Sequence, residues 1–184
     1  MTTSPATDAT QANATEANTE ANTEAGLSDE KYLLLDHQIC FSLHSAARAF
    51  NGVYRAALKD LGLTYPQYLV MLVLWEHGET PVKKLGEHLR LDSGTLSPLL
   101  KRLETGGLVR RERSVRDERS VHVHLTEAGT ALREQALTVP RRIVAATGLD
   151  VAEIHELRTR LDTLTRSLDS AVLDPEILAD PHGE

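Results

Sequence analysis

Apolar side chains between Leu91 and Leu108 repeat with the period of a helix. In the segment LDSGTLSPLLKRLETGGL, Leu96, Leu99, Leu100 and Leu103 mark one buried face. Ser93, Thr95, Ser97, Lys101 and Arg102, all hydrogen-bond donors, occupy the other. Asp92 or Ser93 can cap this helix, because a short side-chain oxygen accepts from backbone N–H groups that lack an intrahelical partner. Gly106-Gly107 closes it, since a left-handed terminal residue costs glycine least. Upstream, Val82, Leu85 and Leu89 predict a shorter amphipathic helix, joined through the tight link Arg90-Leu91. Helix, tight turn and donor-rich second helix form a helix-turn-helix pattern. Downstream, Leu108–Arg113 and Ser120–Leu125 read as two strands around a charged tip at residues 114–119. In the second strand Val121, Val123 and Leu125 alternate with His122 and His124, which point outward and need only solvent. The expected fold is mainly α with a small β-hairpin wing: a winged helix-turn-helix with N- and C-terminal dimerisation helices.

The flanks extend the same pattern. From Tyr32 to Leu61 a wide apolar stripe (Leu33, Ile39, Leu43, Phe50 and Val53 among it) predicts a helix with Asp36 as N-cap and Gly62 as its end. Thr64-Tyr65-Pro66 starts the next, proline being tolerated in a first turn. That helix, Pro66–Glu76, is apolar nearly all round and belongs in the interior, Trp75 included. Beyond the wing, Thr126 caps a helix from Glu127 to about Thr138, and Pro140 and Gly148 interrupt the chain after it. A last helix, about Asp150 to Val172, carries Ile154, Leu157, Leu161, Leu164 and Leu168 at alternating steps of three and four, the seam of a coiled coil. Such a seam needs a partner surface. The first and last helices (about 32–61 and 126–172) are therefore expected to build a homodimer interface, an intramolecular bundle being the alternative. The DNA-binding lobe covers about 64–125 within a domain of 29–172. Residues 1–28, with ANTE repeated and few large apolar side chains, read as a disordered low-complexity tail, and 173–184 as a C-terminal tail.

Charge separates the lobe from the rest. From Pro81 to Leu125 there are ten Lys and Arg against six Asp and Glu, whereas the remainder has ten against twenty-one. An acidic chain that gathers its positive charge on one groove-sized module suits phosphate recognition, so the expected partner is double-stranded DNA. A dimer would read a pseudo-palindromic operator. Ser93, Thr95 and Ser97 would reach base edges, Lys101 and Arg102 would hold phosphate, and Arg116 and Arg119 would enter a minor groove. No apolar run approaches the ~20 residues of a membrane span. No secretory signal pattern opens the chain, and a single cysteine excludes a disulfide framework within it. A cytoplasmic protein is expected. Glycine-rich phosphate loops, nucleophile elbows and His-Glu metal helices are missing, which argues against an enzyme and calls for no cofactor.

The pattern Asp117-x-Arg119-x5-Leu125-Thr126-x2-Gly129 resembles the wing signature of the MarR family of dimeric winged-helix transcription regulators. The blocks DHQICFSLHSA, LTYPQYLVMLVLWE, LDSGTLSPLLKRLE and RDERSV resemble the organic-hydroperoxide-resistance regulators, in their single-cysteine branch. The resemblance implies a repressor of a peroxidase gene that loses DNA affinity when a cysteine of its N-terminal helix is oxidised. Cys40 falls on that position, and Asp117 joins Arg116 and Arg119 in the DNA-contacting wing. Tyr54 and Tyr65 fall on two tyrosine positions that contact the thiol, partly across the dimer interface. His44 stands where the family has a third tyrosine.

Taken without the resemblance, a lone cysteine in an apolar helix reads as inert core. As a sensor it needs a stabilised thiolate and partial access. Tyrosine hydroxyls and the positive end of a helix starting at Asp36 supply the first, and Ile39, Phe41 and Leu43 favour an organic hydroperoxide as inducer. With no second cysteine, oxidation stops at sulfenic acid, forms a mixed disulfide with a low-molecular-weight thiol, joins two Cys40 residues, or runs on irreversibly. Two alternatives keep the fold. His37, Cys40 and His44, spaced three and four apart, could bind a metal ion, or a small phenolic ligand could occupy the interhelical cleft.

Overall fold

The computed structural model describes residues 31, 33–113 and 120–173. The chain divides into two compact units, Met1–Arg48 and Ala49–Glu184. The expected tail 1–28, the expected C-terminal tail 173–184 apart from its first residue, and the wing tip with Arg116, Asp117 and Arg119 lie outside the described residues. Among those described, no helix is long and apolar enough to cross a membrane.

In the first unit a 3-10 turn, Leu35–His37, precedes helix α1, Ile39–Ala57, whose second half lies in the other unit. Asp36 therefore does not cap the helix: it sits inside the 3-10 turn, which the N–H of Gln38 closes by donating to Leu35 O at 3.0 Å. The extended backbone of Gln38 (φ −85°, ψ 107°) breaks the run, and α1 starts beyond it, with the Phe41 and Ser42 amides both donating to Gln38 O. Apolar side chains in this stretch stay exposed, including Leu33, Ile39, Phe41 and Leu43.

In the second unit, Gly62 ends a short turn with φ +64°, a conformation that glycine adopts without the Cβ penalty. Helix α2, Tyr65–His77, begins at Thr64, whose N–H donates to Gln67 Oε1 at 2.9 Å. Its Tyr68, Val70, Met71 and Leu74 are buried, but Leu72 is exposed, so one side reaches the surface. Helices α3 (Val82–Leu89) and α4 (Ser93–Thr105) are the expected helix-turn-helix pair. Between them Arg90 is left-handed at φ 54°. Leu85, Leu96, Leu100 and Leu103 are fully buried with Leu58, Leu74, Val109 and Val123. Each such side chain contributes about 1.5–3 kcal/mol relative to exposure.

The sheet holds one strand more than the pattern predicts. Strand β1 (Thr80–Pro81) pairs antiparallel with β3 (Val121–Leu125), which pairs with β2 (Val109–Arg113), giving the order β1-β3-β2. Two residues are too short for alternation to be visible. Thr126 caps α5 (Glu127–Ala136) as expected, accepting from Gly129 N at 3.0 Å. Pro140 does not interrupt a helix but stands in the first turn of another, α6 (Val139–Thr147), which Gly148 ends at φ +70°. Helix α7, Val151–Leu173, is entered through a reciprocal pair, Asp150 N to Glu153 Oε2 at 2.8 Å and Glu153 N to Asp150 Oδ1 at 2.9 Å. Its seam residues Leu157, Leu161 and Leu168 are exposed, and Ile154 and Leu164 half-buried.

Candidate nucleic-acid interface and sensing thiol

Helix α4 presents the face that its sequence predicts. The cap is Asp92 rather than Ser93: its Oδ1 accepts from Thr95 N and its Oδ2 from the Thr95 hydroxyl, both at 2.9 Å. These two bonds, the backbone one foremost, hold the Asp92 carboxyl below its usual pKa. Ser93, Thr95, Ser97, Lys101 and Arg102 are all exposed. Two of the hydroxyls are partly committed, Thr95 to the cap and Ser97 to Ser93 O at 2.7 Å. Their oxygens remain able to accept, and the amide-rich N-terminal turn still faces outward, a good seat for phosphate.

Around the wing, contacts between different elements appear that periodicity could not reveal. Glu104, near the end of α4, takes three hydrogen bonds from Arg111 on β2. They keep the Glu104 carboxyl below its usual range. Arg110 pairs with Glu112. His122 and His124 do not simply meet solvent: their side chains are 25% and 17% exposed. His122 Nδ1 lies 2.7 Å from Glu79, and His124 lies 3.6 Å from both Glu79 and Glu112. Glu112 is opposite His122 in the ladder, so these groups share a face. Glu79 arrives through the turn before β1, the strand that the pattern missed. Arg90 Nη2 reaches Asp169 Oδ2 on α7 at 2.7 Å, tying the helix-turn-helix link to the last helix.

Cys40 is an exposed free thiol in the first turn of α1. Its Sγ donates a long hydrogen bond to Gln38 Oε1 at 3.8 Å. His37 belongs to the 3-10 turn rather than α1, so it does not share a helix face with Cys40 and His44. Among the described residues no group of three or more His, Cys, Asp or Glu can hold a metal ion.

Tyr54 and Tyr65 are packed together with ring centroids 4.3 Å apart. Tyr68, to which the sequence pattern gives no special role, lies 6.1 Å from Tyr54 and meets Trp75 edge-on at 6.2 Å. Burial first, then the neighbouring phenols, push the hydroxyls of Tyr54 and Tyr68 above their usual pKa. These phenols therefore stay protonated as donors. Trp75 Nε1 donates to Gly129 O at 2.9 Å.

Two helices about a left-handed link, the second capped and hydroxyl-lined, beside a hairpin completed by a third strand, define a winged-helix transcriptional regulator. Residues 53–135 match the family described as transcriptional regulator SarA/Rot. The chain is 44% identical over 137 residues to the organic hydroperoxide resistance transcriptional regulator of Bacillus subtilis, covering 74% of this chain and 93% of that one. Among solved structures it resembles reduced AbfR bound to DNA (TM-score 0.65, 37% identity, 75% of this chain and 94% of that one). It also resembles overoxidised AbfR bound to DNA (TM-score 0.61, 36% identity, 74% and 97%), AbfR being a Staphylococcus epidermidis protein. The chain belongs to the MarR family of transcriptional regulators, in the group of the organic hydroperoxide resistance regulators.

Proposed function

We propose that the protein is a homodimeric repressor that holds a pseudo-palindromic operator while Cys40 is reduced and releases it when an organic hydroperoxide oxidises that thiol. The observation that carries this reading is the exposed Cys40 in the first turn of α1. The dimer reading rests on two exposed apolar surfaces: Ile39, Phe41, Leu43 and Phe50 on α1, and Leu157, Leu161 and Leu168 on α7. The family resemblance implies that phenols at the Tyr54 and Tyr65 positions donate to the thiol, partly across the dimer interface, and these two rings are packed together with centroids 4.3 Å apart. Reading would fall to Ser93, Thr95 and Ser97 at base edges and to Lys101 and Arg102 at phosphates. Arg116, Asp117 and Arg119 would complete the wing.

In the reaction, the thiolate sulfur attacks the peroxide and breaks the O–O bond. The peroxide is reduced to an alcohol, taking up one proton, and the sulfur is oxidised to sulfenic acid. A low-molecular-weight thiol then condenses with the sulfenic acid, forming a mixed disulfide and water. A relative was solved both overoxidised and on DNA, which favours the bulkier thiol adduct over plain overoxidation as the releasing form here. Intact-mass measurement after cumene hydroperoxide and a small thiol should find the adduct on Cys40, in a protein that sediments as a dimer. An unmodified Cys40, or a monomer, would refute the reading.

A second reading, release by a small phenolic ligand, is favoured by a groove of about 400 Å³ walled by Tyr68, Leu72, Trp75, Leu137 and Pro140, with Arg133 in its lining. Release of DNA from a Cys40→Ala protein by salicylate would support it.

A further inference from the structure

We propose that Glu104 is a positioning residue for DNA reading, one that locks the wing to the recognition helix so that both meet the duplex as a single body. The inference rests on the DNA-binding reading above. Three features carry it. Glu104 Oε1 accepts the backbone N–H of Arg111 at 3.0 Å, while Oε2 accepts from Arg111 Nε at 2.9 Å and Nη2 at 2.6 Å. The carboxylate thus fixes both the side chain and the main chain of β2. In the order β1-β3-β2, β2 is an edge strand, and among the described residues its outer N–H groups have no ladder partner. Glu104 takes the one at Arg111. Finally, an acidic side chain in the last turn of α4 faces the negative end of the helix, which is locally unfavourable. A residue that opposes its local electrostatics and is offset by one distant partner is placed for that partner.

The consequence concerns geometry rather than charge. Arg111 is held by the protein, so its guanidinium is not spent on phosphate. With the wing clamped, the second DNA contact comes after the first at a high effective concentration. Loosened, the wing has to be ordered on the DNA each time.

The test uses the full-length protein and a duplex recovered from a random-sequence library by selection on the wild type. Glu104→Gln replaces one oxygen with an NH2 group that opposes the guanidinium, and Arg111→Lys keeps the charge but loses the fork. Each variant should bind about tenfold more weakly, with the salt slope of affinity unchanged and faster hydrogen exchange at the Arg111 amide. The double variant should be no worse than the weaker single one. Removing an acidic group from a DNA-binding lobe should by charge alone tighten binding, so a loss has the opposite sign to a simple field effect. Thermal melts and active-fraction titration separate this loss from misfolding. Equal or tighter binding by Glu104→Gln, or additive losses in the double variant, would overturn the proposal. A wild type that selects no duplex would sink the DNA reading, and this proposal with it.

Discussion

Replacing Gly129 by alanine adds one methyl group where α5 crosses the start of the wing. A Cβ there would lie 2.0 Å from Leu108 O, 3.0 Å from Leu108 C and 3.3 Å from Leu125 Cδ2. The first two atoms are backbone and have no rotamer to escape into. Helix and strand must therefore separate by more than about 1 Å to restore contact, a cost of about 1–3 kcal/mol. The same approach carries Thr126 N to Leu108 O at 3.1 Å, the Thr126 hydroxyl to Gly107 O at 2.6 Å and Trp75 Nε1 to Gly129 O at 2.9 Å. Losing one of these adds about 1 kcal/mol. Alanine's better helix propensity returns up to about 1 kcal/mol. The net expectation is a destabilisation of roughly 1–3 kcal/mol. Urea unfolding followed by the fluorescence of Trp75, at one protein concentration because a dimer's stability depends on it, should show the midpoint falling by about 0.5–2 M at unchanged slope. A midpoint within about 0.2 M of wild type would refute the packing argument.

Three further outcomes come from the same geometry. Leu161→Glu, on the exposed seam of α7, should give a monomer by sedimentation, and a persisting dimer would contradict the assigned interface. The Asp92 and Glu104 carboxyls are held low by hydrogen bonds from Thr95 and Arg111. Their contribution is thus present above the unfolded-state carboxylate pKa of about 4 and lost as pH falls through the lower folded values. Glu104→Gln should flatten the acid limb of a stability–pH curve, and an unchanged limb would refute this. Arg90→Gly relieves a left-handed residue but drops an exposed ion pair to Asp169. It should shift stability by less than about 1 kcal/mol either way by urea midpoint, and a larger loss would mean that the pair is more than a surface contact.

The elements that the chain discloses are those whose cause is local. The leucine period of α4, the Asp92 cap and the Thr126 cap depend on residues within a few positions, and all are found. The misses have distant causes. β1 exists only because Thr80 and Pro81 meet Val123 and His122, and without it Glu79 has no visible reason to lie under His122 and His124. Pro140 carries two meanings, breaker or first-turn residue, and only the packing of Val139 and Ile143 decides for the second. The thiol's position is legible, but the 3-10 turn displaces its helix start, and that displacement removes His37 from the face it was expected to share. Glu104 gives no signal, since its partner stands on a neighbouring strand.

One time course tests the central claim. A labelled duplex selected on the wild type is bound to the reduced protein, and fluorescence anisotropy is recorded after addition of cumene hydroperoxide with a low-molecular-weight thiol. The wild type should let go of the duplex while Cys40→Ser stays bound. Equal release from both proteins, or release from neither, would contradict the assignment of Cys40 as the sensor.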